Sequence, residues 1–202
     1  MSKINKYIIG IDESGRGPLA GPIAVGAVLF RKKSYLKYFS GIRDSKKLSK
    51  KQREQWFKLA KIEKIKERIE YKVSCVSNTV IDKKGITYAT ECAIKRCLKR
   101  LGINPWECFV YLDGSLKAPN EYHNQRTIIG GDDKLRCISL AAVIAKVVRD
   151  KKMKKYSLIY PQYGFDSHNG YATREHRKKI KHFGTSKIHR ISFLKNLTDK
   201  NL

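Results

Sequence analysis

The chain has 202 residues, 44 of them Lys or Arg against 18 Asp or Glu, for a formal net charge of +26, with 41% hydrophobic and 10% aromatic residues. That apolar content excludes a disordered chain, and the length suits one buried core better than two, so a single domain over residues 1–202 is expected, with no internal boundary. So large a positive charge points to polyanions, nucleic acid ahead of a membrane surface; residues 23–30, the longest apolar run, fall far short of the ~20 residues of a spanning helix, and the start MSKINKY has no signal-peptide core.

A cytoplasmic monomer is therefore expected, with no membrane partner. Five cysteines without a CxxC pair indicate neither a zinc knuckle nor a disulfide framework and read as reduced packing residues. Along the chain, YIIGIDESGRGPLAGPIAVGAVLF reads as two apolar strands around a glycine-rich turn at Arg16, the first ending on Asp12 and Glu13. The stretch DSKKLSKKQREQWFKLAKIEKIKERIE predicts a basic helix opened by a Ser49/Gln52 capping box, packing through Trp56, Leu59, Ile62, Ile65 and Ile69. YKVSCVS alternates as a half-buried strand through Tyr71, Val73 and Cys75, and the helical region after it stops at Gly102.

CFVYLDG is a short apolar run ending on Asp113, and RTIIGGDD repeats the theme with Asp132 and Asp133 beyond a glycine pair. Leu135 to Val148 is apolar nearly all round and predicts a central buried helix, with the basic continuation RDKKMKKY emerging into solvent. The remainder is a Pro- and Gly-punctuated loop followed by a basic helix from about Thr173 to His182. Strands alternating with helices predict a layered α/β fold. The intervals among His168, His176, His182 and His189 fit no zinc pattern.

Three apolar strands thus each lead to an acid in a chain poor in acids. Any one of these acids reads equally well as a turn former or a cap, and Asp133, beside a helix start, reads as a cap. Their recurrence suggests convergence at one sheet edge, where like-charge repulsion would require cations; oxygen ligands of this kind suit Mg²⁺ or Mn²⁺. Two metals in such a pocket, on a basic surface, is an arrangement for phosphodiester cleavage.

The motifs GIDESGRGPLAGP, DSKKLS, LDG, GGD before ISLAAVIAKVVRD, and YPQYGFDSHNGY resemble, in order, those of ribonuclease HII, over about residues 7–193. That resemblance implies a ribonuclease H-like three-layer α/β fold, a mixed five-stranded sheet flanked by helices, with a small C-terminal helical segment at about 160–202 that binds substrate. It implies that Asp12, Glu13, Asp113 and Asp132 are the catalytic, metal-binding carboxylates; spacing alone leaves Asp132 and Asp133 open. Two divalent ions would serve hydrolysis of the RNA strand in RNA/DNA hybrids and cutting 5′ to single ribonucleotides in duplex DNA, leaving 5′-phosphate and 3′-hydroxyl ends.

Telling ribose from deoxyribose requires close contact with one 2′-hydroxyl, which glycine permits to a main chain. The resemblance assigns this role to Gly15, Arg16 and Gly17, assigns Tyr171 to the following sugar, and assigns Lys46 and Lys47 to backbone phosphates. Departures from the family pattern are Asn169 where lysine is usual, Asp133 where serine is frequent, and Ala142, which removes a hydroxyl from the buried helix. The C-terminal SFLKNLTDKNL shows no clamp-binding motif. The competing readings are a non-catalytic basic nucleic-acid-binding protein and a DNA-specific nuclease of the same fold.

Overall fold

The computed structural model describes residues 6–42 and 45–194. Asp44 of the DSKKLS motif and residues 195–202 of the C-terminal SFLKNLTDKNL stretch lie outside them. Strands β1 (Tyr7–Ser14), β2 (Ile23–Phe30), β3 (Ile69–Val76), β4 (Cys108–Asp113) and β5 (Gln125–Ile128) form one mixed sheet in the order β3-β2-β1-β4-β5. Pairing is antiparallel among β3, β2 and β1 and parallel from β1 through β4 to β5. The mixed five-stranded sheet is the expected one.

The longer helices are α1 (Lys50–Ile65), α2 (Asn78–Leu101), α4 (Arg136–Ile159) and α6 (Arg174–Phe183), with single-turn helices α3 (Gly131–Lys134), α5 (Phe165–His168) and α7 (Ile191–Leu194). Strand alternation sorts β1 between two helical layers. Ile9 and Ile11 join Ile81, Ala93, Ile94 and Leu98 of α2 in one core cluster, whereas Gly10 lies under α4 on the other face. A Cβ at Gly10 would stand 2.2 Å from the carbonyl carbon and oxygen of Cys137. Only glycine permits that approach, and it lays α4 directly on the strand backbone. Val28 and Phe30 of β2 complete that second layer with Ile138, Leu140, Ala141 and Ile144 of α4 and Phe57 and Ala60 of α1.

A third apolar cluster, Leu19, Ala20, Met153, Tyr163, Phe165, Ile180 and Ile188, fastens the C-terminal helices to the turn after β1. Thr173 caps α6 by accepting from the His176 amide at 3.2 Å, so that helix begins where its basic pattern predicts. Gly102 ends α2 at φ 66°.

Several expectations need correction. Helix α1 has the Ser49/Gln52 capping box, but it buries Phe57, Ala60 and Glu63, while Ile62 and Ile65 are exposed and Ile69 opens β3. Glu63 is buried with the Arg68 guanidinium 2.9 Å away, so a charged pair lies on the packed side of α1 while Ile62 and Ile65 face out. Within β3, Ser74 and Val76 are buried more deeply than Tyr71, Val73 and Cys75. The third strand is a half-exposed edge, β5, and Asp132 lies beyond it in α3 rather than at a strand end. The basic end of α4 also does not wholly emerge, since Arg149 and Met153 are fully buried.

Candidate active site

The site begins with register. Parallel pairing sets Ile11 opposite Leu112, so the residues that follow, Asp12 and Asp113, lie side by side at the ends of neighbouring strands. From β5 the chain turns through Gly130 at φ 64° into α3, which carries Asp132 back over them. The Gly131 amide donates to the Asp113 carboxylate at 2.7 Å and fixes that turn to β4. One carboxylate oxygen each from Asp12, Asp113 and Asp132 then lie within 4.8 Å of one another.

Glu13 stands beside this trio rather than within it. Adjacent residues of a strand point to opposite faces, and its carboxylate lies 4.0 Å from the Arg16 guanidinium. The Glu13 amide donates to Asp12 at 2.6 Å. Burial first, and then the charges of Glu13 and Asp113, hold Asp12 well above the usual carboxylate range. Burial also raises Glu13, against the opposing pull of Arg16.

Three crowded, half-buried to buried carboxylates are a hard-oxygen donor set that a divalent cation would neutralise. Asp12 and Asp132 are 5% and 7% exposed, so water screens their repulsion poorly. The donor chemistry therefore fits the expected Mg²⁺ or Mn²⁺. Geometry also separates the two acids that spacing left open: Asp132 enters the trio, whereas Asp133 points to Lys47, whose ammonium it meets at 2.6 Å. Asp133 is not a cap; Gly130 occupies the N-cap of α3.

Around the trio, Arg16 and Gly17 are exposed on the turn after β1, and Gly15 sits behind them at φ 96°. A Cβ at Gly15 would fall 2.1 Å from the Arg149 side chain. Lys46 and Lys47 are exposed on the turn before α1, which Arg53 braces by donating to the carbonyls of Ser45 and Leu48. Tyr171 is 42% exposed, with the Lys146 ammonium and the Arg149 guanidinium 5.7 and 5.8 Å from its ring centroid. Asn169 adopts φ 50° at the end of α5; asparagine tolerates this left-handed conformation better than lysine does, a local reason for that departure. Ala142 is buried inside α4.

Sequence reasoning passed over Arg149 and Arg190, both fully buried. Arg149 was legible in principle, because it continues the inward face of α4 four residues before buried Met153; nothing in the spacing marked Arg190. Sequence intervals also hid the association of His168, His176 and His189. The first two rings stack 4.3 Å apart and the last two share an Nε2 to Nε2 contact of 3.0 Å. Cys97, Cys108 and Cys137 are buried free thiols, and desolvation pushes Cys97 and Cys137 up to about 12. No described helix is long and apolar enough to cross a membrane.

A family model described as ribonuclease HII matches residues 9–196. Among curated proteins, a ribonuclease HII of Caldicellulosiruptor bescii is 45% identical over 95% of this chain and 88% of its own. Among solved structures, ribonuclease HII of Archaeoglobus fulgidus, in complex with PCNA, superposes with a TM-score of 0.73 at 25% identity over 92% of this chain and 94% of its own. A more distant likeness is to Bst-RNase HIII in complex with Mn²⁺, TM-score 0.68 at 18% identity over 95% of this chain and 68% of its own, a likeness of fold.

Proposed function

Because the chain belongs to the ribonuclease HII family, we propose that it is a divalent-metal-dependent endoribonuclease acting on RNA/DNA hybrids and on single ribonucleotides embedded in duplex DNA. The observation that carries this reading is the approach of Asp12, Asp113 and Asp132 within 4.8 Å in a chain of net charge +26. A merely binding protein would gain nothing from burying like charges beside the phosphates it attracts. Asp12, Asp113 and Asp132, with Glu13 adjoining, would hold Mg²⁺ or Mn²⁺, two ions during turnover; such ions activate water and stabilise a leaving 3′-oxygen, which yields 5′-phosphate and 3′-hydroxyl ends.

The protein groups set the target. Lys46 and Lys47 draw in the backbone, with Lys47 exchanging Asp133 for a phosphate. The Gly15, Arg16 and Gly17 turn brings main chain to the 2′-hydroxyl, and Arg16, already close to Glu13, neutralises the phosphate that enters beside the acids. Tyr171 offers a partly exposed ring to the next sugar, with the Lys146 and Arg149 cations 5.7 and 5.8 Å from its centroid.

The deciding measurement is cleavage of a duplex carrying one ribonucleotide, with Mg²⁺ or Mn²⁺ supplied. The ribonucleotide strand should be nicked on its 5′ side and the all-deoxy duplex left whole; equal cutting of both would favour a DNA nuclease. Asp132→Asn should lower the rate by at least about 10²-fold, as loss of a preorganised charged group does, while duplex affinity is kept or improved. Wild-type cleavage by that variant would falsify the site assignment.

A further inference from the structure

Behind the turn proposed to read the ribose lie two arginines with no exposed surface, Arg149 and Arg190. Neither has a carboxylate within ion-pair distance among the described residues. A buried charge is costly unless paired, yet here the hydrogen-bond acceptors are all main-chain carbonyls, with the Tyr171 ring 5.8 Å from the Arg149 guanidinium and the Phe193 ring 5.1 Å from that of Arg190. Arg190 donates from Nη2 to the Gly15 carbonyl at 2.6 Å, from Nη1 to the Arg16 carbonyl at 2.9 Å and from Nε to the Gly21 carbonyl at 2.9 Å. Arg149 takes the carbonyls of Pro22 and Ala20 at 3.0 and 3.2 Å and leaves Nη1 without a partner among the described residues.

All five carbonyls belong to the segment from Gly15 to Pro22. The chain around Arg190 is itself tied to that segment, because the Arg190 amide donates to Leu19 and the Gly21 amide to Ile188, at 2.7 and 2.9 Å. Burial, aided by the neighbouring charge of Arg149, pulls the Arg190 guanidinium down to about 9, so the arrangement is held against an electrostatic penalty. Apolar side chains would fill the same space at lower cost.

The direction of the bonds supplies the reason. In a trans peptide the N–H and C=O point oppositely. With the Gly15 and Arg16 carbonyls both drawn inward to one guanidinium, the amides sharing those peptide planes, of Arg16 and Gly17, face outward. Both residues are exposed there, on the side where Arg16 approaches Glu13.

We propose that Arg190 is a positioning residue for ribonucleotide selection: its fork locks the two peptide planes of the turn so that the Arg16 and Gly17 amides stand as a fixed pair of donors for a sugar hydroxyl. This rests on the ribonucleotide-selective reading above and adds to it the group that keeps the selecting backbone in place. The planar fork matters because it binds two carbonyls at once in a defined geometry, which an ammonium on a flexible stem does not. Gly15 must lack a side chain for the related reason that Arg149 occupies the space behind it.

Arg190→Lys keeps the charge and releases the fork. We expect its affinity for an all-deoxy duplex, read by anisotropy without divalent metal, to stay within about twofold of wild type, since charge sets that binding. Its preference for the same duplex with one ribonucleotide should disappear, and with metal its single-turnover cleavage there should fall by about 10²-fold, the scale of small misplacement. A change in the amount of folded protein alters both affinities together and leaves their ratio alone, so the ratio separates positioning from stability. If wild type cuts both duplexes alike, the functional reading fails; if wild type cuts selectively but shows no binding preference, or if Arg190→Lys discriminates and cuts as well as wild type, the role of Arg190 fails. Should the variant not fold, wild-type amide spectra decide the matter. The Arg16 and Gly17 signals should move on adding the ribonucleotide duplex without metal and not on adding the all-deoxy one, and identical responses to both would overturn the proposal.

Discussion

At the scale of single residues, the structure distinguishes side chains that composition treats alike. Asp132 and Asp133 are neighbours of one type, yet one is buried among carboxylates and the other reaches out to a lysine. No local rule separates them, because the choice depends on α3 landing over the ends of β1 and β4. The histidines show the same limit. His189 accepts from the Ser186 amide at Nδ1, which leaves Nε2–H to donate to Nε2 of His176. His176 Nδ1–H in turn donates to the Tyr171 carbonyl at 2.8 Å, so both rings are fixed neutral and help to hold the turn that presents Tyr171. Desolvation lowers both to about 4, whereas an unfolded histidine titrates near 6.5. Between those values the unfolded chain takes up protons that the folded chain refuses. Their contribution to stability should therefore decline as pH falls from about 6.5 and be gone below about 4. Urea midpoints measured from pH 7 to 4.5 should show this decline, with a shallower slope in His189→Gln; parallel slopes would contradict it.

At the scale of elements, legibility followed locality. The capping box of α1, the Thr173 start of α6 and the Gly102 stop of α2 are written in a few adjacent residues, and the structure has each of them. The packing face of α1 was misread because a charged pair, Glu63 with Arg68, is buried on it, and the position of Asp132 because α3 is held by a partner distant in sequence, the Asp113 carboxylate of β4. Gly10 is the sharpest case of such a partner. Its role under Cys137 depends on a helix more than a hundred residues away, and within the strand it reads as a weak point. Gly10→Ala must push α4 off the sheet by an appreciable fraction of an ångström. We expect a loss of about 1–3 kcal/mol in chemical denaturation. An unchanged midpoint would mean that α4 and β1 are less tightly packed than the 2.2 Å approach requires.

At the scale of the whole molecule, positive charge is in large excess, and against it three acids, Asp12, Asp113 and Asp132, crowd into one place. Net charge was fully legible from composition, and with it the expectation of a polyanionic partner; the carboxylate cluster was not, since it exists only when β1, β4 and α3 meet. Duplex binding should accordingly weaken with salt along a log-log line whose slope is about −0.7 to −0.9 per phosphate neutralised. Lys46→Ala should reduce the magnitude of that slope by about one contact's worth, which fluorescence anisotropy at several salt concentrations would measure; an unchanged slope would remove Lys46 from the docking face.

Strand β1 occupies the middle of the sheet, bonded to β2 along one edge and to β4 along the other, with α4 resting on its backbone. From Ile8 to Ile11 the strand is paired on both sides, so the peptide hydrogens there belong with the slowest to exchange. The paired acids Asp12 and Glu13 thus ride on the part of the protein with the least freedom to wander, and thermal agitation elsewhere reaches their spacing last.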